Sequence, residues 1–233
     1  MSTVSDFDDA EAPLWQTEAT GRMNRMYRWQ RYIYDATRRY YLLGRDELID
    51  GIQPAAKATV LEIGCGTGRN LVQSAKKYPQ AIFYGIDVST EMLTTAISAI
   101  ERGRLNSQVR VAHGDATSFD PATLFGIAAF DHVMISYSLS MIPDWHAVLD
   151  NAVLRLKPGG RLHIVDFGHQ ERLPQIARAV LLRWLALFDV TPRRSLQSAL
   201  KALAVKSGAS LAFERPFRGY AQSAVLTLPN RPD

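Results

Sequence analysis

Three glycines and two aspartates are the residues of this chain whose types and spacing are best suited to bind a ligand. Gly64, Gly66 and Gly68 form the pattern G-x-G-x-G, and glycine lets a backbone turn sharply and approach a ligand closely. Asp87 and Asp115 each follow a short apolar run, where a carboxylate can accept hydrogen bonds from ribose hydroxyls or an adenine amino group. The combination predicts a site for a nucleoside-containing cofactor.

The elements that would position these residues alternate between strands and helices. Residues 58–63 form an apolar run that ends in the glycines, as a buried parallel strand does, and a helix is predicted to follow through about Lys77. Further strands are predicted at AIFYGIDVS, QVRVAHGDA, FDHVMISYS and RLHIVDFG, and helices at TEMLTTAISAIERG and WHAVLDNAVLRLKPGG, the last with its terminating turn. This alternation predicts an α/β fold with a doubly wound, mostly parallel sheet.

The C-terminal part is predicted to complete a seven-stranded sheet. After Gly168 the pattern predicts helices at residues 174–188 and 195–207, then two closing strands in ASLAFERPF and GYAQSAVLTL, the last one antiparallel. In such a sheet the strand ends that carry the glycines and both aspartates lie along one crevice at the topological switch point.

Composition limits the class of protein. The 233 residues suffice for one α/β domain with a short appendage. A net charge of +4 suits an anionic partner without choosing among nucleic acid, a phospholipid surface and an acidic metabolite. The single cysteine, Cys65, excludes an internal disulfide and suits a reducing compartment. The acidic N-terminus is no signal peptide and no apolar run is long enough to span a bilayer, so a cytoplasmic protein is expected.

The joint spacing of LEIGCGTG, YGIDVS, HGDA, FDHV and LKPGG, over about residues 59–168, resembles the class I S-adenosylmethionine-dependent methyltransferases. It differs from the G-x-G-x-x-G of dinucleotide binders. The resemblance implies a Rossmann-like fold and S-adenosylmethionine as the cofactor, with the glycines at its methionine moiety, Asp87 at the ribose, and Asp115 with Ala116 at the adenine. Taken singly, the glycines could be plain turns, the aspartates helix caps and Cys65 a packing residue. The predicted cofactor residues are Glu62, Gly64, Cys65, Gly66, Gly68, Asp87, Val88, Asp115, Ala116 and Ser136.

The segment after the fourth strand argues against methylation of nucleic-acid bases. Enzymes that methylate exocyclic base amines resemble one another in an Asn/Asp-Pro-Pro-aromatic motif there, whereas this chain has Ser136-Tyr137-Ser138-Leu139. Cytosine C5 enzymes need a cysteine nucleophile at that place, and Cys65 lies elsewhere. No nucleic-acid substrate is therefore expected.

Residues 22–46, RMNRMYRWQRYIYDATRRYYLLGRD, are rich in arginine and tyrosine. Tyr34-Asp35 followed by Gly44 resembles the entrance segment of quinone and phospholipid methyltransferases. The fuller string MYRWQRYIYDATRRYYLLGRD, together with LPQIARAVLLRWLALFDVTPRRSL, is similar to the bacterial N-methyltransferases of betaine-lipid synthesis, which trimethylate the amine of diacylglyceryl homoserine. The resemblance implies a flexible tail at residues 1–15, a helical lid at 16–55 and the methyltransferase domain at 56–233.

That chemistry gives the side chains roles. A quaternary ammonium product has no proton to donate, so aromatic faces would hold it, and a forked guanidinium would hold the homoserine carboxylate. Tyrosines at helical spacing are also common in cores, and arginines are commonly solvated. The predicted catalytic residues are Tyr34, Tyr137 and Asp166. The predicted substrate residues are Arg38, Arg39, Arg45, Tyr40 and Tyr41, with Trp29 as a further candidate for the aromatic wall.

Several alternatives stay open at this stage. Three placements are open for the apolar helix PQIARAVLLRWLALF, which Arg193 and Arg194 follow. It could lie in the headgroup layer on the inner face of an anionic membrane, it could cover the sheet, or it could form a homo-oligomer interface. The methyl acceptor could also be a quinone precursor or phosphatidylethanolamine. A function of a different class is that of a catalytically silent protein that binds the cofactor and whose basic lid binds RNA or a protein. His163 is expected in the core, and His132 and His146 lack metal-ligand spacing, so no metal is predicted.

Overall fold

The computed structural model describes residues 42–171, 174–186 and 190–230. Residues from Leu43 onward form a compact unit. Within the described residues, seven strands form one sheet in the order β3-β2-β1-β4-β5-β7-β6. The strands are β1 (Thr59–Ile63), β2 (Ile82–Asp87), β3 (Val109–His113), β4 (Phe130–Ser136), β5 (Leu156–Phe167), β6 (Ser210–Glu214) and β7 (Ala221–Thr227).

Strands β1 to β5 pair in parallel, and β7 is antiparallel to both of its neighbours, β5 and β6. The predicted doubly wound, mostly parallel sheet with an antiparallel last strand is therefore confirmed. The chain reverses its winding between β1 and β4, so the carboxyl ends of these two strands flank the switch-point crevice.

Local signals explain where the helices begin and end. The Ser89 hydroxyl caps the helix Thr90–Arg102 by accepting a hydrogen bond from the Met92 N–H, and Asp120 caps the helix Pro121–Phe125, which has Pro121 in its first turn. Gly208 ends the helix Leu196–Ser207 in the left-handed conformation. The helices are α1 (Arg45–Ile52), α2 (Arg69–Lys77), α3 (Thr90–Arg102), α4 (Pro121–Phe125), α5 (Trp145–Leu154), α6 (Gln175–Ala186), α7 (Leu196–Ser207) and the single turn α8 (Pro216–Gly219).

The core lies around the central strands. Val60 and Leu61 on β1 and Val133 and Met134 on β4 are fully buried, and because neighbouring residues of a strand point to opposite faces, both faces of the sheet are covered there. This is why these strands are continuous apolar runs instead of alternating patterns. None of the helices in the described part of the chain is long and apolar enough to cross a membrane.

The structure differs from the sequence prediction at three places. Strand β5 begins at Leu156, so the LKPGG segment belongs to the strand and not to a turn that ends α5. A register shift between Phe130 and His132 on β4 accommodates this early start. Two short elements, α4 and α8, were not predicted. Residues 187–189, at the end of the predicted 174–188 helix, lie outside the described residues.

The division into tail, lid and domain stays a prediction. Residues 1–41, which hold the tail and most of the lid, lie outside the described residues. The last part of the predicted lid is α1, which contacts strand β5 and helix α2.

Candidate active site

The glycine loop leaves β1 at its carboxyl end and leads into α2. Gly64, Gly66 and Gly68 all adopt positive φ angles, of 72°, 52° and 74°, which other residues adopt only with strain. A Cβ atom on Gly64 would lie 2.7 Å from the Cβ of Ser138, so the loop also needs glycine for space. The loop therefore brings bare backbone to the crevice, as a cofactor cradle requires.

Asp87 ends β2 and fixes the loop across the crevice. Its Oδ2 accepts a 2.7 Å hydrogen bond from the Gly66 N–H, and its Oδ1 accepts one of 2.9 Å from the Ser89 N–H. A carboxylate has further lone pairs, which suit the two ribose hydroxyls of a nucleoside. Val88 is 69% exposed, so an apolar surface stands next to Asp87 where an adenine ring could pack.

Asp115 and Ala116 follow β3 on the same edge of the sheet. The exposed Asp115 carboxylate accepts hydrogen bonds from the N–H and hydroxyl of Thr117, and these bonds lower its pKa. The Ala116 carbonyl accepts a hydrogen bond from the Asn151 side chain. These contacts form a local turn, and the adenine contact of this pair stays a prediction.

Glu62 is a buried carboxylate beneath the glycine loop. Its Oε1 accepts a 2.8 Å hydrogen bond from Asn70 Nδ2, whereas its Oε2 is buried with no partner among the described residues. Burial raises the pKa of Glu62 to about 8, against the opposing effects of Asn70 and the nearby Arg45. A buried acceptor without a partner is costly, and the ammonium group of a bound methionine moiety would satisfy it. The residues present therefore fit S-adenosylmethionine.

Cys65 is a packing residue, as one of the sequence interpretations had it. Its side chain is buried against Gly85, where an added Cβ would lie 2.9 Å from the cysteine Sγ. Burial raises the pKa of the thiol well above its usual value, so Cys65 remains an uncharged thiol at neutral pH.

Tyr137 stands at the end of β4 in a strained conformation. Its φ angle is 55°, unusual for an aromatic residue, and its hydroxyl donates a 2.5 Å hydrogen bond to the Leu43 carbonyl. Its ring is buried edge-on against Phe167 at 4.6 Å, and burial raises the pKa of its hydroxyl well above the usual value. The neighbouring Ser136, a predicted cofactor residue, has a buried hydroxyl with no partner in the described part of the chain.

Asp166 lies near the end of β5 and is fully enclosed. Its Oδ2 accepts a 3.1 Å hydrogen bond from the Ser140 N–H, and its Oδ1 accepts one of 2.7 Å from the Phe167 N–H. Burial raises its pKa to about 6 despite these bonds. This arrangement favours a positioning role for Asp166, and its predicted contact with the acceptor stays a prediction.

Sequence reasoning missed a set of long-range hydrogen bonds that we call the Arg193 brace. The Arg193 guanidinium donates to the carbonyls of Leu139 and Ile142, at 2.9 and 2.7 Å, in the loop that follows β4. Gln222 Nε2 on β7 donates to the carbonyls of Phe167 and Arg193, at 2.9 and 3.2 Å. One of the open interpretations put Arg193 at the basic end of a helix on lipid, whereas these bonds turn its guanidinium onto the backbone.

Two further residues with polar side chains, His169 and Tyr220, lie near this edge. His169 follows β5; burial lowers its pKa, and its Nε2 is enclosed without a partner in the region described. Tyr220, just before β7, is half-buried, with its ring 6.0 Å from that of Phe167. His163 lies in the core, as predicted, with its Nε2 3.2 Å from Nδ1 of His132, and burial lowers its pKa to about 3.

Most of the predicted acceptor pocket lies outside the described residues, namely Trp29, Tyr34, Arg38, Arg39, Tyr40 and Tyr41. Arg45 is described. It is buried at the start of α1, and its charge offsets part of the rise that burial causes in the pKa values of Glu62 and Tyr137. Its predicted role as a clamp for a substrate carboxylate is left untested by these contacts.

Known proteins match part of this chain in sequence. Residues 61–162 match the family model described as a methyltransferase domain. Nocamycin O-methyltransferase from Saccharothrix syringae is 35% identical over 133 residues, which cover 56% of this chain and 45% of that protein. Demethylmenaquinone methyltransferase from Listeria welshimeri is 32% identical over 108 residues, which cover 46% of this chain and 44% of that protein. The chain thus spans about half the length of the curated relatives it matches.

A solved structure agrees with these matches. That of an O-methyltransferase family protein from Burkholderia thailandensis has a TM-score of 0.67 at 18% identity, covering 86% of this chain and 59% of that one, which is a likeness of fold. The sequence match thus makes residues 61–162 similar to methyltransferase domains, and the solved structure shows a likeness of fold. The predicted enzyme class and the predicted cofactor, S-adenosylmethionine, agree with the match of residues 61–162 to the methyltransferase-domain model.

Proposed function

We propose that the chain is an active N-methyltransferase that successively methylates the amine of diacylglyceryl homoserine to the trimethylated betaine lipid. The class of the domain and its cofactor crevice support methyl transfer. The likeness of the arginine- and tyrosine-rich segment to the betaine-lipid enzymes supports the choice of acceptor.

The observation that carries the choice of a nitrogen acceptor is the enclosed state of Tyr137 and Asp166. Of the three predicted catalytic residues, Tyr137 and Asp166 are described, and they lie at the carboxyl ends of β4 and β5 with 1% of each residue exposed. The Tyr137 hydroxyl and both Asp166 carboxylate oxygens are hydrogen-bonded to backbone groups. Neither is placed to remove a proton from an acceptor. A neutral amine needs no such base for the attack itself, because its lone pair is already the nucleophile.

When bound, S-adenosylmethionine would supply an electrophilic methyl group: the amine lone pair would attack that methyl in line, and S-adenosylhomocysteine would leave as the bond from methyl to sulfur breaks. The chain's part is to position the two reactants and exclude water. Gly66 and Asp87 form the cofactor side of the crevice, and Asp166 and the Arg193 brace hold the loops on the acceptor side. The first two transfers end with loss of the extra amine proton to water, and the third leaves a quaternary nitrogen.

A second candidate is methylation of a hydroxyl oxygen or a quinone ring carbon, which needs a base. His169 favours this candidate, because its lowered pKa keeps the ring neutral and its Nε2 has no partner in the described residues. The names of the two relatives above point the same way, one being an O-methyltransferase and the other acting on demethylmenaquinone. If this candidate is correct, His169→Asn should abolish turnover and leave cofactor binding intact.

The test is mass spectrometry of diacylglyceryl homoserine after incubation in mixed micelles with the purified chain and S-adenosylmethionine. We expect products heavier by one, two and three methyl groups. A quinol, a small hydroxylated aromatic compound and phosphatidylethanolamine are assayed in parallel. Turnover of one of these and none of the homoserine lipid would replace the proposed acceptor.

Variants separate cofactor binding from acceptor binding. Asp87→Ala should weaken cofactor binding by about ten- to a hundredfold in calorimetry, because it removes a charged acceptor that also orders the loop. Arg38→Ala and Arg39→Ala should lose lipid turnover and keep cofactor affinity, whereas the exposed Arg110→Ala, on edge strand β3, should change neither. Unchanged turnover in both Arg38→Ala and Arg39→Ala would refute the carboxylate clamp. Cofactor binding without turnover of any acceptor would favour a silent binding protein.

A further inference from the structure

Helix α6 exposes an apolar stripe to solvent. Ile176 is 82% exposed and Val180 is 65% exposed, and Ala179 between them is exposed as well. These positions are spaced i, i+3 and i+4, so they share one face of the helix, and the exposed Arg183 continues that face one turn later. An exposed apolar stripe of this kind is a mark of an interaction surface.

A strained turn lies next to the segment that leads into α6. Phe217 and Arg218 adopt consecutive left-handed conformations, with φ of 54° and 59°, and both side chains are exposed. Non-glycine residues adopt this conformation at a cost, and it persists where surrounding contacts enforce it. Hydrogen bonds from the Gly168 N–H to the Tyr220 carbonyl, at 2.7 Å, and from the Gln170 N–H to the Gly219 carbonyl, at 2.8 Å, hold the turn in place.

The turn and helix α6 belong to the same edge of the sheet as the candidate active site. The first residue of β7, Ala221, pairs with Phe167 at the carboxyl end of β5, so the turn that precedes β7 lies at that end. Helix α6 is reached from the same end of β5 through residues 168–174. The turn and the start of α6 are therefore both connected to the edge of the sheet that carries the candidate active site.

The charges around these features are mostly basic. Arg183, Arg194 and Arg218 are exposed. Of the nearby acids, Glu171 is paired with Arg215 at 2.8 Å, and Glu214 is exposed. The Phe217 ring also approaches Gly44, which the exposed Asp46 and Glu47 follow, and Asp46 is paired with Arg69. An apolar stripe beside arginines, with an aromatic side chain at the tip of a turn, has the chemistry of a surface that lies at the boundary between lipid headgroups and acyl chains.

We propose that Ile176, Ala179, Val180, Arg183, Phe217 and Arg218 form a docking face for an anionic lipid bilayer. The proposal rests on the lipid acceptor proposed above, since docking there would present the crevice to the headgroup layer. The apolar side chains enter the boundary region and the arginines contact lipid phosphates. The chain then binds the membrane surface without spanning it.

Vesicle flotation tests the docking face without any methyl acceptor. The full chain is mixed with vesicles of phosphatidylcholine alone or of phosphatidylcholine and phosphatidylglycerol in equal parts. We expect binding to the anionic vesicles that weakens with added salt. The double variant Ile176→Ser/Val180→Ser and the variant Phe217→Ser should each lower the partition coefficient by about tenfold. Arg218→Gln should lower it about fivefold, the loss of one cationic contact.

Matched substitutions lie elsewhere on the surface. Val205 on α7 is 86% exposed and Leu154 at the end of α5 is 69% exposed, so Val205→Ser and Leu154→Ser remove exposed apolar groups away from α6 and the turn. Both should bind vesicles as the wild type does. Circular dichroism and calorimetry of cofactor binding are the controls that test whether each variant is folded.

The outcomes separate this proposal from the proposed function. Wild-type chain that fails to float with anionic vesicles, or variants of α6 and the turn that float like the wild type, would overturn the docking face. A dimer in sedimentation that the α6 double variant dissociates, without vesicle binding, would assign the stripe to a second copy of the chain instead. Vesicle binding with no methylation of the homoserine lipid would keep the docking face and remove the proposed acceptor.

Discussion

Asn70 Nδ2 donates a 2.8 Å hydrogen bond to Glu62 Oε1, and this contact joins the first turn of α2 to the end of β1 beneath the glycine loop. Both residues are almost completely buried. Only one of the two carboxylate oxygens receives a hydrogen bond from the described residues, so the other is a buried acceptor at the centre of the candidate cofactor site. A cationic ligand group would satisfy it.

The buried acid should make stability depend on pH. Burial raises the pKa of Glu62 from 4.5 to about 8, so the folded chain binds a proton more tightly than the unfolded chain does. Its contribution to the free energy of unfolding is fully present below about pH 4.5 and is lost as pH rises to about 8. Urea unfolding of the cofactor-free chain across this range should show wild type losing stability relative to Glu62→Gln.

Asp166→Asn provides a comparison for that experiment. Burial raises the pKa of Asp166 to about 6, so its contribution is lost between about pH 3.8 and 6 and is constant above that. The two variants should therefore depart from the wild type in different pH windows. A stability difference between wild type and Glu62→Gln that stays constant from pH 4.5 to 8 would contradict the assignment.

Alanine substitutions at three glycines distinguish the effect of steric crowding on stability from the effect of backbone strain. Gly64→Ala combines a positive φ with a contact of 2.7 Å to Ser138, so we expect a loss of about 3 kcal/mol or more. Gly126→Ala has a positive φ but nothing within 4 Å, and should lose about 1 kcal/mol from strain alone. Gly51→Ala lies inside α1 with open space around it, and should gain up to about 1 kcal/mol. Equal losses in urea unfolding for Gly64→Ala and Gly126→Ala would show that the loop does not need the space.

The Arg193 brace predicts that substitution of Arg193 destabilises the chain far more than substitution of the adjacent Arg194. Arg193→Ala leaves the carbonyls of Leu139 and Ile142 without their charged donor and should lower the free energy of unfolding by about 2–3 kcal/mol. Arg194→Ala removes an exposed side chain and should change it by less than about 0.5 kcal/mol. Similar values for the two variants in chemical denaturation would mean that the brace adds nothing to stability.

The cofactor side of the site could be predicted from sequence because its signals are local. The glycines stand in the few residues that link β1 to α2, and Asp87 is the last residue of β2. Once the strands are recognised as parallel, their carboxyl ends must meet at one edge, and the crevice follows from the strand order.

The acceptor side could not be predicted as well, because its contacts join distant parts of the chain. Tyr137 and Asp166 were expected at this edge and are found there, but residue type does not reveal that Leu43 and Ser140 engage their polar atoms. The Arg193 guanidinium reaches residues more than fifty positions earlier. The early start of β5 was also missed, since Pro158 and Gly159 read as a turn until the pairing irregularity on β4 is known.

Strand β7 lies between β5 and β6, although both of those strands precede it in the chain. On the ribosome, β6 therefore emerges with no neighbour to pair with, and its edge stays open until the residues up to Thr227 have followed. Gln222, which secures the acceptor side through Phe167 and Arg193, arrives with the same strand. Synthesis therefore completes the strands that carry the glycine loop and Asp87 before the strand that brings Gln222 to Phe167 and Arg193.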